Sequence, residues 1–235
     1  MAIVINGSGT VTGLAVGGLP DGTVDSDTLA SNAVVTGKIA DGTIVNADVN
    51  ASAAIANSKF VGGDLTLIST TDVTDGDSYV TLSDVFSSTY DKYVLECFNF
   101  LPNTDNAAIR GNFQTGGNTW NTASVYDTQV TAQYNGTIES WINLANAAYA
   151  AFSGHGNQGN GSNEQYHFTI ELMQPSSTTD EKYWKGSQVG YNASGQMASL
   201  LCAGSWRSTT AVTGVRFYYS SGTFKTGKLK LYGVK

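Results

Sequence analysis

The segment Asp91-Lys92-Tyr93-Val94-Leu95-Glu96-Cys97-Phe98-Asn99-Phe100 (DKYVLECFNF, 91–100) decides the fold class. Its residues alternate between two faces, the period of a half-buried β-strand. Outward from it the same texture recurs. Residues 107–114, 123–134, 166–173, 197–206, 214–219 and 226–232 read as further strands, separated by Gly-, Asn- and Ser-rich turns. Gly, Ser, Thr and Asn supply 95 of the 235 residues, and only 31 residues are charged, so long helices and coiled coils are excluded. Three prolines and 25 aromatics argue against disorder. The stretch 141–152 (WINLANAAYAAF) is ambiguous: its alanines favour helix and its surroundings favour strand. The reading is an all-β protein whose residues 63–235 form an antiparallel β-sandwich, jelly-roll-like head.

Residues 1–62 differ in kind. No Phe, Tyr or Trp occurs before Phe60, and the apolar side chains there are Ala, Val, Leu and Ile, apart from Met1. A weak repeat runs through them. Asp21-Gly22-Thr23-Val24 recurs as Asp41-Gly42-Thr43-Ile44, and Leu29, Ala33 and Val35 recur in register as Val49, Ala53 and Ile55. A unit this small cannot bury its apolar face alone, and two repeats are too few for a solenoid from one chain. Copies of the same chain wound about a shared axis would supply the missing surface. The expectation is an elongated, intertwined oligomeric stem over 1–62, threefold by preference, with Gly62-Gly63 as the hinge to the head. Sixty residues span at most about 200 Å fully extended.

The net charge of −7 counts against a nucleic-acid partner. The apolar runs are too short to span a bilayer, and the N-terminus lacks the pattern of a signal peptide. Cys97 and Cys202 then read as two buried thiols of a chain made in a reducing cytosol, with one disulfide as the alternative. Charge is divided along the head. Residues 61–181 carry 14 acids against Lys92 and Arg110, whereas 182–235 carry eight bases and no acid. Either interleaved strands mix these charges in space, or the C-terminal strands form a basic face for an anionic ligand.

Motifs with a catalytic or nucleotide-binding outline lack their context. Gly154–Gly159 (GHGNQG) matches G-x-G-x-x-G but opens no helix. Gly222–Lys228 (GTFKTGK) matches most of a P-loop, but Leu229 replaces the hydroxyl residue, and the flanks read as a terminal hairpin. Asp72, Asp75 and Asp77 lie close together without the spacing of an EF-hand, and read as a solvated turn rather than a calcium site. His155 and His167 have no metal-ligand partner at i+4. Asp127, Glu139, Glu164 and Glu171 are carboxylates that nothing in the sequence pairs. The reading is of no enzyme, no cofactor and no metal.

The aromatics are the better binding candidates. Trp120, Tyr126, Trp141, Trp184, Tyr191 and Trp206 lie beside polar, Gly- or Asn-rich segments, where a ring can stack on a sugar and amides can bond its hydroxyls. The competing reading of each ring is that it fills the sandwich core. Arg216, Lys228 and Lys230 are candidates for a basic face; Arg216 shares a strand face with Tyr218, and Lys228 and Lys230 share one with Tyr232.

Three segments resemble virion structural proteins of tailed phages, especially cyanobacterial and marine ones: the opening AIVINGSGTVTGLAVGGLPDGTV, the following DGTIVNADVNASAAIANSKF, which is similar to tail-fibre stem repeats, and the ending TGVRFYYSSGTFKTGKLKLYGVK, which resembles the last strands of fibre heads. The resemblance implies a homotrimeric tail fibre exposed on the virion. Its N-terminal segment would attach to another virion protein of the tail or capsid, and its head would bind host-surface polysaccharide during adsorption. A capsid decoration protein or head fibre is the first alternative and a glycan depolymerase the second. Neither nucleic acid nor membrane insertion is expected.

Overall fold

A computed structural model describes residues 4–5, 11–12, 29, 31, 33–35, 39–40, 43–45, 48–50, 53, 65–153 and 158–235, except the side chains of 4–5, 11–12 and 139–141. The chain forms two compact units, Met1–Ala56 and Asn57–Lys235. The first holds a two-stranded antiparallel sheet of β1 (Val4–Ile5) and β2 (Val11–Thr12). Short-range hydrogen bonds join its later residues: Thr43 N–H to Ala40 C=O (3.1 Å), Asp48 N–H to Val45 C=O (2.9 Å) and Ala53 N–H to Asn50 C=O (2.8 Å). Gly62-Gly63 and Gly154-His155-Gly156-Asn157 lie outside the described residues.

The second unit is all-β, with no helix among its described residues. Its strands are β3 (Thr66–Val73), β4 (Val80–Leu82), β5 (Lys92–Pro102), β6 (Ile109–Gln114), β7 (Tyr126–Tyr134), β8 (Thr137–Ala147), β9 (Ala150–Ala151), β10 (Tyr166–Met173), β11 (Lys182–Tyr191), β12 (Met197–Trp206), β13 (Gly214–Tyr219) and β14 (Phe224–Val234). Every pairing is antiparallel. One sheet has eight strands in the order β3-β14-β5-β10-β11-β12-β7-β8; the other has four, β4-β13-β6-β9. The ambiguous stretch 141–152 is strand, falling in β8 and β9. Asn135 (φ 47°) and Gly136 (φ 87°) make the tight turn between β7 and β8, where the twist of the hairpin requires left-handed backbone.

The two sheets share one apolar core, because alternation turns every second side chain inward. Tyr93, Leu95 and Cys97 on β5, Phe168, Ile170 and Leu172 on β10, and Val215, Phe217 and Tyr219 on β13 are all buried. In β5 the alternation breaks at Asn99, whose left-handed φ of 54° accompanies an irregular register with β14. Phe100 is thereby fully buried and meets Phe168, Phe224 and Phe217 edge-on at 5.1, 5.5 and 6.4 Å. Phe113 and Phe152 carry the aromatic packing on to Trp184 at 5.5 and 6.1 Å.

The terminal hairpin expected of 214–232 does not form. Strands β13 and β14 enter different sheets, β13 between β4 and β6, and β14 between β3 and β5. Each has an apolar inner row, and placing the two strands in opposite sheets lets both rows face the same core.

Cys97 and Cys202 are free and buried. Strands β10 and β11 lie between theirs, a separation of roughly 14 Å at the usual strand spacing and too far for a disulfide. Burial raises the Cys202 thiol to about 12 and lifts Cys97 well above its ordinary value. It also raises the phenols of Tyr126, Tyr166 and Tyr219. Above about pH 9 the unfolded chain releases protons that the folded chain keeps, so stability falls as pH rises through that range. The midpoint of urea unfolding is expected to drop steadily from pH 8 to pH 10.5; a flat profile would contradict the burial of these groups.

Gln188 is a local inconsistency within this core. Its side chain is buried on β11, and neither its amide nitrogen nor its oxygen has a hydrogen-bond partner. An unpaired buried amide costs about 1–3 kcal/mol. Gln188→Met keeps the shape and removes the polar atoms. It is expected to raise stability by about 1–2 kcal/mol in urea denaturation.

Candidate functional site: the outer face of the four-stranded sheet

Each sheet has one face turned away from the core, and the two faces differ. On the eight-stranded sheet four ion pairs neutralise much of the outer charge. Glu171 accepts from Lys92 (3.1 Å) and faces Lys185 (3.6 Å), Arg207 pairs with Asp127 (3.1 Å) and Lys228 with Asp72 (2.8 Å). Three of these four pairs join a base after residue 181 to an acid before it. Interleaving of strands thus mixes the charges that the sequence separates. Three shallow depressions of about 370–450 Å³ lie along this sheet, one of them bordered by Thr169, Glu171, Lys185 and Leu201.

The outer face of the four-stranded sheet is aromatic and cationic. Arg216 on β13 stands opposite Thr81 of β4 and Asn112 of β6, and Tyr218 stands opposite Arg110 of β6. The Arg216 guanidinium lies 4.4 Å from the Tyr79 ring centre and 5.1 Å from that of Trp120. Its Nε and Nη2 both donate to Asn112 Oδ1, at 3.3 and 3.1 Å. Asn112 is buried and is itself held by donating to Ala148 C=O (3.0 Å). Arg110 lies 4.1 Å over Tyr149, and Tyr79 and Tyr218 meet at 5.8 Å. Partial burial raises the Tyr218 phenol, and the two guanidiniums oppose that rise. Among the described residues neither arginine has a carboxylate partner.

Local sequence explains each element of this cluster. Alternation in IRGNF (109–113) and VRFYY (215–219) sends Ile109, Phe113, Val215, Phe217 and Tyr219 inward and puts Arg110, Asn112, Arg216 and Tyr218 on the opposite face, where Asn112 is itself buried. Trp120 is brought in by the loop after β6, which folds back so that Trp120 bridges Gln114 and Asn121 N–H reaches Phe113 C=O (2.8 Å). The buried Tyr126 hydroxyl ties that loop down, accepting from Phe113 N–H (2.9 Å) and donating to Asn121 C=O (3.0 Å).

The sequence candidates divide accordingly. Trp120 and Arg216 belong to this cluster. Trp184, Trp206 and Tyr126 do not: at 2%, 0% and 0% exposure they fill the core and have no ring face to offer a ligand. Tyr191 is exposed at the end of β11 in the eight-stranded sheet, opposite Met197 of β12. Trp141 has its backbone opposite Thr131, and its side chain lies outside the described ones. Lys228 and Lys230 lie on the eight-stranded sheet, Lys228 bonded to Asp72 and Lys230 opposite Glu96 and 5.7 Å from the Phe98 ring. They cannot join Arg216 in one basic stripe, because the core separates the two sheets.

The sequence reading missed Tyr79, Arg110, Asn112 and Tyr149. Alternation gave a signal for the face of Arg110 and Asn112 on β6, and none for Tyr79 and Tyr149, which lie outside the strands. The pairing of β6 with β13, about a hundred positions apart, gave none.

Other candidate chemistry is occupied. Asp77 accepts from Thr74 N–H (2.8 Å) and Asp75 from Asn103 (2.8 Å). Glu164 accepts from Gly161 N–H (2.7 Å), and Asp127 and Glu171 are ion-paired. Among the described residues no group of three or more metal-ligating side chains occurs. Comparison with protein-family models, curated proteins and solved structures finds no match to this chain.

Proposed function

We propose that this chain is a structural protein of a tailed-phage virion: a homotrimeric tail fibre. Residues 1–62 form its intertwined stem and attach it to another virion protein, and residues 63–235 form a jelly-roll-like head that binds host-surface polysaccharide. The observation that carries the reading is the exposure of the repeat. Leu29, Val34, Val35, Ile39, Ile44 and Val45 are 40–58% exposed in the single chain. A segment with so much aliphatic surface and no aromatic ring needs a partner to bury it. Further copies of the same repeat offer matching surface. The head contributes an exposed aromatic face, and three heads on one stem would multiply weak sugar contacts by avidity.

Sedimentation equilibrium tests the assembly. The full chain is expected to sediment at three times its 24.7 kDa mass, and Val34→Asp with Ile44→Asp to lower that mass toward the monomer. A wild-type monomer at micromolar concentration would remove the basis of the reading. Fluorescently labelled protein is expected to adsorb to host cells and to lose adsorption when surface polysaccharide is stripped. Failure to adsorb, with localisation on capsids, would favour the decoration-protein alternative. Release of new reducing ends from host polysaccharide would favour the depolymerase.

A further inference from the structure

The two arginines on the four-stranded sheet have no evident role in folding that neutral side chains could not fill. By register they occupy diagonal positions on neighbouring strands, roughly 7–8 Å apart at Cα. Two cations so placed repel each other unless an anion lies between them. Elsewhere in this unit Lys92, Lys185, Arg207 and Lys228 meet a carboxylate, whereas Lys182 and Lys225 reach only backbone carbonyls and Lys230 lies against the Phe98 ring. The Asp84 carboxylate, at the β4 end of the same sheet, accepts from Gln114 Nε2 (3.5 Å), and Gln114 Oε1 in turn accepts from Asp84 N–H (2.9 Å). The Arg110 side chain donates no hydrogen bond among the described residues, and the Arg216 side chain uses only Nε and Nη2, both on Asn112.

Stacking fixes the two guanidiniums while leaving donors free. Tyr79 and Trp120 hold Arg216, and Tyr149 holds Arg110. A ring covers the face of a guanidinium, but its N–H groups lie in its plane and stay available for a planar, two-oxygen acceptor. The rings around them, Tyr79 about half exposed and Trp120, Tyr149 and Tyr218 partly so, offer apolar edges to a sugar. The two arginines of this face and a net charge of −7 are too little for a nucleic-acid backbone.

We propose that this face binds an acidic polysaccharide, with Arg110 and Arg216 holding the anionic group of one sugar while Tyr79, Trp120, Tyr149 and Tyr218 pack against the adjoining sugar rings. The proposal rests on the polysaccharide-binding reading of the head and narrows it to sugars bearing a carboxylate or a phosphate.

Titration of the full-length protein with three polymers tests it: polygalacturonate for carboxylate, poly(glycerol phosphate) for phosphate and dextran as the neutral control. Binding is expected to one or both acidic polymers, to exceed that to dextran at least tenfold, and to weaken as sodium chloride is raised. Arg216→Gln and Arg110→Gln are each expected to weaken it about tenfold or more. Arg216→Lys should recover only part, because it keeps the charge but loses the fork. Thermal melts of the variants check that the fold is intact. Arg110 bonds to no other side chain, so Arg110→Gln keeps the test decisive should Arg216→Gln unfold. Dextran binding that equals acidic binding and survives both substitutions would overturn the acidic assignment while leaving the polysaccharide reading in place. Acidic binding unchanged in both variants would overturn this site. Binding to none of the three polymers would overturn the acidic assignment, and cell adsorption then decides the broader reading separately.

Discussion

Replacing Trp184 by alanine is expected to destabilise the second unit by about 3–5 kcal/mol, a large fraction of the 5–15 kcal/mol that typically separates folded from unfolded domains. The indole is 2% exposed and packs against Phe113, Phe152 and Tyr126 with ring centres 5.5, 6.1 and 6.4 Å away. Alanine would leave a cavity bounded by both sheets, which cannot close without moving strands. Trp184→Phe should lose much less, since it keeps a ring and removes an indole N–H that has no hydrogen-bond partner. The measurement is urea unfolding followed by tryptophan fluorescence. All four tryptophans lie after residue 60, so the signal reports the second unit alone. A binding role for Trp184 predicts the opposite outcome: unchanged stability and weakened adsorption.

Gly111→Val is expected to cost about 2–3 kcal/mol by overpacking and to disturb the arginine face at the same time. Gly111 faces inward on β6, and a Cβ there would stand 2.5 Å from Phe152 Cε2 and 2.9 Å from the backbone oxygen of Arg216. The ring can rotate only within a packed core, and the carbonyl belongs to the paired strand β13. The strands must therefore separate locally, which moves Arg216 relative to Asn112. A lowered urea midpoint is the first readout. The second is altered near-ultraviolet circular dichroism from Trp120 and Tyr79. A variant as stable as wild type would show that β6 and β13 do not pack as closely as this register requires.

Much of the fold can be read along the chain. Three expected strands, 166–173, 197–206 and 214–219, coincide with β10, β12 and β13, because inward and outward residues alternate through all of the first and most of the other two. Lys182–Tyr191 escaped notice as a strand. Two glycines interrupt its pattern and a lysine opens it, yet Gly186 and Gly190 are where neighbouring strands and the Tyr166 ring approach too closely for a side chain. Lys182 is buried there. Its ammonium donates to Asp180 and Ser208 carbonyls beside the Trp206 ring, and burial lowers its pKa. No rule of composition marks such a lysine as interior.

The candidate site was half legible. Trp120 and Arg216 were singled out from their neighbours in sequence, but Arg216 was grouped with Lys228 and Lys230. A run of basic residues close in sequence invites that grouping, and sheet partition undoes it.

By itself the sequence determined the all-β class, the face that most strand residues take, and the contrast between an aromatic-free opening and an aromatic-rich remainder. These follow from the two-residue period of extended backbone and from which side chains water excludes, both local properties. Only the tertiary structure decided that β13 and β14 part into different sheets, that Trp184, Trp206 and Tyr126 are interior, and that Arg110 and Arg216 share one surface. Strand order depends on how inner rows from distant segments fill a common core, and that packing is a property of the whole assembly of strands rather than of any one of them.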